Sequence, residues 1–154
     1  MQELLHELKY NSQPEIGRML GRVYGIDLVQ SGVARGVDAI VPVPLHTWKM
    51  QRRGYNQSEE FAKGLGESMN IPVESNVIAR VTNTETQTRK SRLKRWENVR
   101  DVFVIPNRSS IEGRHVLLVD DVITTGATIE ACGHALFDAG CATVSAVSIA
   151  FSGE

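Results

Sequence analysis

Two adjacent acidic residues, Asp120 and Asp121, directly follow four apolar residues in the segment VLLVDDVITTGAT (116–128). Four apolar residues in succession are typical of a strand that is buried on both faces. Two carboxylates at the end of such a strand repel each other unless a ligand or a cation offsets their charge. The pattern therefore indicates a binding site, and the alternative is a solvated loop followed by a helix cap.

The residues that follow the two acids are suited to binding a phosphate group. Thr124, Thr125 and Thr128 carry hydroxyl donors, Gly126 permits a tight turn, and a helix is predicted to begin at about residue 128. Unpaired amides at a helix N-terminus carry the positive end of the helix dipole, which favours an anion. Carboxylates, in contrast, accept hydrogen bonds from sugar hydroxyls or bind a hydrated cation. Together the segment predicts a site for a sugar phosphate.

The elements around this segment predict an α/β fold with a mostly parallel central sheet flanked by helices. Strands are expected at 38–46, 75–81, 99–105, 115–121 and 142–151, and helices at 2–9, 14–31, 58–70 and 128–138. Ligands of such folds bind beyond the carboxyl ends of the strands, where the two acids lie. The 99–105 strand follows a polar segment without an intervening helix, so part of the sheet is allowed to be antiparallel.

Local signals set the boundaries of two of these helices. Pro14 suits the first turn of the 14–31 helix, in which apolar residues recur at helical spacing. These residues are Ile16, Met19, Leu20, Val23 and Ile26. Ser58 is the expected N-cap of the 58–70 helix. Residues 47–57 show no periodicity and are predicted to form a loop.

Length and composition restrict the class of protein. The 154 residues are 42% hydrophobic with a formal net charge of −1, which fits a single domain and argues against a general nucleic-acid coat. The two cysteines, Cys132 and Cys141, lack the spacing of a zinc site and are expected in the core. No apolar run reaches the ~18 residues of a membrane span, and no signal peptide is apparent. A cytoplasmic protein is therefore expected.

The 116–128 segment resembles the motif with which type I phosphoribosyltransferases bind phosphoribosyl pyrophosphate (PRPP). The resemblance implies that Asp120 and Asp121 are catalytic residues that contact the ribose hydroxyls. It also implies a loop that binds the 5-phosphate, formed by Thr124, Thr125, Gly126, Ala127 and Thr128. Many members of the family have a second glycine where Ala127 stands. The implied cofactor is Mg²⁺, held through oxygens of PRPP and pyrophosphate, with no direct protein ligand expected.

Two further segments resemble the competence protein F (ComF) family, IVPVPLHTWKMQRRGYNQSEEFAKGL (40–65) and ARVTNTETQTRKSRLKRWENVRDVF (79–103). By position in that family, the turn after the first strand is expected to bind pyrophosphate through Pro44, Leu45, His46, Arg52 and Arg53. Two adjacent guanidinium groups can form paired hydrogen bonds with phosphate oxygens. Asn56 and Gln57 either orient a substrate or hold this loop.

Residues 80–100 are the most basic part of the chain. They contain seven basic residues, Arg80, Arg89, Lys90, Arg92, Lys94, Arg95 and Arg100. The resemblance implies a mobile loop over about 82–98 that closes over pyrophosphate, with Arg89, Lys90 and Arg95 in contact. A solvated polar loop is one alternative, and contact with a single nucleic-acid strand through Trp96 is another. Direct nucleic-acid binding is not expected, because the segment has a single aromatic platform.

The resemblance as a whole implies a single domain over residues 1–154 that transfers phosphoribose from PRPP to an unidentified nitrogen acceptor and releases pyrophosphate. The alternative is a non-catalytic PRPP- or nucleotide-binding module in DNA uptake, with a DNA-uptake protein as a possible partner. A homodimer is also possible. No residue is identified as a base for the acceptor. ComF members usually have a cysteine-rich, zinc-type N-terminal region that this sequence lacks, so either a fragment or a member without that region is expected.

Overall fold

A computed structural model of the chain describes residues 13–81 and 103–152. Within these residues there are four α-helices, α1 (Pro14–Ser31), α2 (Thr47–Arg53), α3 (Gln57–Met69) and α4 (Ala127–Asp138). Its strands are β1 (Ala39–Pro42), β2 (Ala79–Arg80), β3 (Phe103–Val104), β4 (His115–Ile123) and β5 (Thr143–Phe151). A short 3₁₀ helix spans Arg108–Ser110. The predicted 2–9 helix and the basic 82–98 loop lie outside the described residues.

Strand β4 lies at the centre of a three-stranded parallel sheet with the order β1-β4-β5. All four residues of β1 are buried, as are residues Val116–Val119 of β4. Side chains of successive strand residues point to opposite faces, so a continuous buried run requires cover on both faces. The prediction of a buried strand from four consecutive apolar residues is confirmed.

Two apolar clusters lie on opposite faces of this sheet. Val116 and Leu118 contribute to a cluster that includes residues of α4. Leu117 and Val119 contribute to a second cluster with Phe61 of α3 and apolar residues of α1. The helices therefore flank a parallel sheet on both sides, which confirms the predicted fold class.

Helices α1 and α3 pack backbone against backbone. A Cβ atom added at Gly21 would lie 2.2 Å from the carbonyl oxygen of Phe61, and one added at Gly64 would lie 2.0 Å from that of Arg18. Only glycine permits this approach. The apolar periodicity predicted the helix correctly, but Met19 and Val23 are 64% and 49% exposed. The face of α1 that reaches the core carries the buried Gly17, Gly21 and Gly25 together with Ile16 and Leu20.

The structure corrects the predictions for residues 47–58 and for one strand. Residues 47–53 form α2 rather than a loop, because His46 caps that helix and Gly54 ends it in a left-handed conformation. The N-cap of α3 is Asn56, not Ser58, since its side chain accepts a hydrogen bond from the Ser58 N–H. Within the expected 75–81 strand only Ala79 and Arg80 pair, antiparallel to β3. No helix in the described part of the chain is long and apolar enough to cross a membrane.

Candidate functional site

The loops that follow β1 and β4 meet at the carboxyl end of the parallel sheet. The Val43 N–H donates to the carbonyl oxygen of Val119 at 2.8 Å, which extends the pairing of the two strands toward the site. The Asn56 amide then donates to the Val43 carbonyl oxygen at 2.9 Å. The start of α3 is thereby fixed against the loop after β1. This edge of the sheet carries both acids and the residues expected to bind pyrophosphate.

Asp120 is held by two hydrogen bonds to one of its carboxylate oxygens. Its Oδ1 accepts from the Ser58 hydroxyl at 3.0 Å and from the Asp121 N–H at 2.9 Å. Within residues 13–81 and 103–152, no group donates a hydrogen bond to its Oδ2. One oxygen is therefore held by these two donors, and the Asp121 carboxyl is also within hydrogen-bond reach of the Asp120 carboxyl.

Burial and, after it, the charge of Asp121 raise the pKa of Asp120 from 3.8 to about 6. The hydrogen bonds from the Asp121 N–H and from Ser58 oppose this rise, because they favour the charged form. Asp121 accepts a hydrogen bond from the Val122 N–H at 2.8 Å. In the described part of the chain, no lysine or arginine forms an ion pair with either acid. Among the residues that the structure describes, the two carboxylates thus lie side by side without a compensating cation.

A small pocket adjoins Asp120, lined by that residue and by residues 122–129. Thr124, Thr125 and Thr128 are exposed in this segment. Gly126 adopts φ 80° immediately before α4, a conformation that side-chain-bearing residues rarely adopt. The first amides of the twelve-residue α4 follow directly, and the Ala127 N–H lies 3.4 Å from the Thr125 hydroxyl. The predicted threonine loop is thus next to the acids and at a helix N-terminus.

The residues expected to bind pyrophosphate are divided between two settings. Pro44, Leu45 and His46 lie half-buried in the loop after β1. His46 has a structural task, since its Nδ1 accepts from the Trp48 N–H and caps α2. Arg52 is exposed on α2.

Arg53 does not lie beside Arg52 as a second free guanidinium group. Its Nη1 donates to the Oε1 of Gln57 at 3.1 Å, so its charge is held at the start of α3. Arg89, Lys90 and Arg95 lie outside the described residues. At the border of that segment, the Arg80 guanidinium stacks over the ring of Phe103 at 5.2 Å.

The contact that sequence reasoning missed is the one between Ser58 and Asp120. Asn56, Gln57 and Ser58 are the buried polar residues of the described core. The Nε2 of Gln57 is the one buried side-chain nitrogen or oxygen of the described residues that has no hydrogen-bond partner. Three polar residues directly before an apolar helical pattern indicate capping, but nothing in that pattern identifies a partner 62 residues away.

Comparison with protein families identifies the same segments. The family described as phosphoribosyl transferase domain matches residues 34–154, which include both acids and the threonine loop. The chain is 33% identical to the DNA utilization protein YhgH of Escherichia coli O157:H7 over 144 residues, covering 92% of this chain and 63% of that protein. It is 35% identical to competence protein F of Haemophilus influenzae over 130 residues, covering 82% and 57% respectively.

Solved structures share the fold. Glutamine PRPP amidotransferase from B. subtilis matches with a TM-score of 0.63 and 24% identity, covering 94% of this chain and 30% of that one. Hypoxanthine phosphoribosyltransferase from Staphylococcus aureus matches with a TM-score of 0.54 and 15% identity, covering 90% and 65%. These confirm the predicted type I phosphoribosyltransferase fold, and the curated relatives confirm the resemblance to competence protein F.

The chain spans about 63% of the length of the first of these relatives, and less of competence protein F. The family match, however, covers most of this chain and begins five residues before β1. The paired acids after a buried strand, the threonine loop at a helix N-terminus and the family match agree with one another, and the chain belongs to the phosphoribosyl transferase domain family.

Proposed function

We propose that this protein binds PRPP with Mg²⁺ and transfers phosphoribose to a nitrogen acceptor, with release of pyrophosphate. The observation that supports this most directly is the arrangement at the end of β4. Two carboxylates, for which residues 13–81 and 103–152 provide no compensating cation, adjoin a threonine-rich loop at the start of α4. Acceptors for sugar hydroxyls and donors for a phosphate are therefore next to each other, as a ribose 5-phosphate requires.

The two parts of the site favour different ends of that ligand. Asp120 and Asp121 accept hydrogen bonds from the ribose hydroxyls, whereas the hydroxyls of Thr124, Thr125 and Thr128 donate to the 5-phosphate. Hydrogen bonds that involve a charged group contribute about 1.5–3 kcal/mol each. The amides at the start of α4 add the positive end of the helix dipole. The polarity of the site thus fixes the orientation of the ligand.

In the proposed reaction, a nitrogen lone pair forms a bond to the anomeric carbon while the bond from that carbon to pyrophosphate breaks. Positive charge develops on the ribose in the transition state. Asp120 and Asp121 face that charge, and their stabilisation of it exceeds their stabilisation of the neutral sugar. Arg52 is exposed beside the loop that carries Pro44, Leu45 and His46, where it can approach the departing pyrophosphate.

The chemistry of the site fits Mg²⁺ through the ligand rather than through a protein cage. Within the described residues, no group of three or more His, Cys, Asp or Glu side chains could hold a metal ion. The oxygens of PRPP provide the hard oxygen ligands that Mg²⁺ prefers, and Asp120 and Asp121 would hold the ion indirectly, through the ribose hydroxyls. When bound, the ion supplies charge neutralisation for the pyrophosphate leaving group.

A second candidate function is a non-catalytic PRPP- or nucleotide-binding module in DNA uptake. The names of two relatives favour it, since one is a competence protein and the other a DNA utilization protein. The absence of an identified base for the acceptor is consistent with it. Under this hypothesis the ligand regulates contact with a DNA-uptake partner, and no pyrophosphate is released.

Calorimetric titration of PRPP with and without Mg²⁺ tests the binding that both functions share. We expect binding that requires Mg²⁺ and that disappears in the Asp120→Asn/Asp121→Asn variant. Pyrophosphate release is then measured across nucleobases and amines. Release with any acceptor supports the transferase, and PRPP binding without release supports the binding module. No binding of wild-type protein at millimolar PRPP would contradict both.

A further inference from the structure

The hydroxyl of Ser58 connects helix α3 to one of the two acids across 62 residues of sequence. Ser58 is 4% exposed, and its Oγ donates to the Oδ1 of Asp120 at 3.0 Å. The Asp121 N–H donates to the same oxygen at 2.9 Å. Two donors from different elements therefore converge on one carboxylate oxygen. Such a pair fixes both the rotation of the carboxylate and the direction in which the second oxygen is presented.

The position of Ser58 is itself fixed by buried polar contacts. Asn56 accepts from the Ser58 N–H at 3.1 Å and donates to the Val43 carbonyl oxygen at 2.9 Å. Val43 in turn donates to Val119, the residue before Asp120. The hydroxyl of Ser58 is thus part of a closed set of contacts that joins α3, the loop after β1 and the end of β4.

We infer that Ser58 is a positioning residue, whose hydroxyl holds the Asp120 carboxylate in one rotamer so that Oδ2 is presented to a ribose hydroxyl. The helix does not need this hydroxyl for its own start. Asn56 caps α3 through the backbone N–H of Ser58, and that bond remains in any variant at position 58 except proline. The contact between the Ser58 side chain and Asp120 therefore serves the acid rather than the helix.

The chain offers a matched control on the same helix. Ser68 also lies in α3, and its hydroxyl donates to the carbonyl oxygen of Arg22 at 2.8 Å, away from both acids. Ser68→Ala removes the same group from the same helix. Ser58→Thr retains a hydroxyl at position 58, whereas Ser58→Ala removes it. Melting temperatures establish that each variant is folded before any other measurement.

The first measurement needs no ligand. Three-bond NMR couplings across χ1 of Asp120 are compared at pH 8 in the wild type and the three variants. We expect one rotamer in the wild type, in Ser68→Ala and in Ser58→Thr, and averaged couplings in Ser58→Ala. A single unchanged rotamer in Ser58→Ala would overturn the inference, whether or not the protein binds PRPP.

The second measurement rests on the proposed function and uses calorimetry with ribose 5-phosphate and with inorganic pyrophosphate. We expect Ser58→Ala to weaken ribose 5-phosphate binding about tenfold, since an ordered hydrogen bond to a charged group is lost. The affinity for pyrophosphate is expected to stay within twofold of the wild type. Ser58→Thr is expected to bind ribose 5-phosphate with the affinity of the wild type. Equal weakening of both ligands would indicate a general structural role and overturn the inference. Absence of ribose 5-phosphate binding in the wild type would contradict the proposed function instead, and the NMR result would still decide the role of Ser58.

Discussion

Acidic residues lie at both ends of the central strand β4, but they differ in the groups that pair with them. At the amino end, Arg114 pairs with Glu74 at 2.8 Å and also donates to the carbonyl oxygens of Ser110 and Asp38. The Asp38 carboxylate accepts from the His115 N–H at 2.8 Å. Glu74 is thus paired with a cation, and the Asp38 carboxylate is held by a backbone donor, as the polar groups of a stabilising network are.

At the carboxyl end, Asp120 and Asp121 are adjacent, and the described residues provide no cation for either. Burial and mutual repulsion raise the pKa of Asp120, so the folded protein bears a cost there. Carboxyl groups with a raised pKa of this kind are typical of sites that bind a ligand. The contrast separates acids that stabilise the fold from acids that we assign to binding.

Neutralising one acid at each end of β4 is expected to give the largest difference in PRPP affinity. Asp121→Asn is expected to weaken PRPP binding about 30- to 100-fold, because a charge-assisted hydrogen bond to the ligand is lost. Glu74→Gln at the other end is expected to leave the dissociation constant within twofold. Calorimetry with PRPP and Mg²⁺ measures both. Similar losses in the two variants would remove the functional distinction between the ends.

The raised pKa of Asp120 predicts a pH-dependent effect of Asp120→Asn on stability. The folded-state pKa of about 6 lies above the usual 3.8, so the folded protein binds the extra proton and loses stability as pH rises through this range. The variant lacks this cost. We expect its free energy of unfolding to exceed that of the wild type by about 1–3 kcal/mol at pH 8 and to match it near pH 4. Urea unfolding at both pH values measures this, and an equal difference at both would contradict it.

At the amino end, Arg114→Ala is expected to lower the free energy of unfolding by about 1–2 kcal/mol, since Glu74 and two carbonyl oxygens lose a donor in a half-exposed setting. PRPP binding is expected to persist. Arg108→Ala is the control, because the Arg108 side chain is exposed and, among the described residues, donates to the Asp138 carbonyl oxygen alone. Chemical denaturation compares the two. If Arg114→Ala lost PRPP affinity without losing stability, the amino end of β4 would have a role in binding and the prediction would be wrong.

The smallest expected effect concerns the threonine loop. Thr125→Val removes one hydroxyl from the pocket beside Asp120 and is expected to weaken PRPP binding about three- to fivefold. Thr143→Val, at the exposed start of β5, is the matched control and is expected to change nothing. Competition titrations resolve differences of this size. If Thr143→Val has the larger effect, the phosphate is bound elsewhere.

Local sequence patterns predicted the elements that carry the site. Four consecutive apolar residues identified β4, and the residues after it identified the two acids and the start of α4. Helix α2 was missed, because its seven residues have no apolar face and it depends on His46 and Gly54 at its ends. The close approach of α1 to α3 was also missed, since the contact of Gly21 with α3 leaves no apolar signal in the sequence.

The sequence by itself determined which residues could do chemistry and placed them at the ends of strands, because periodicity, capping and the order of residue types are local properties. The tertiary structure alone decided that Asp120 has a raised pKa and that Ser58 holds one of its oxygens. The contact between Ser58 and Asp120 depends on the parallel pairing of β1 with β4. That pairing brings together segments far apart in the chain. The Ser58 hydroxyl, 62 residues away in sequence, can therefore donate a hydrogen bond to the Asp120 carboxylate.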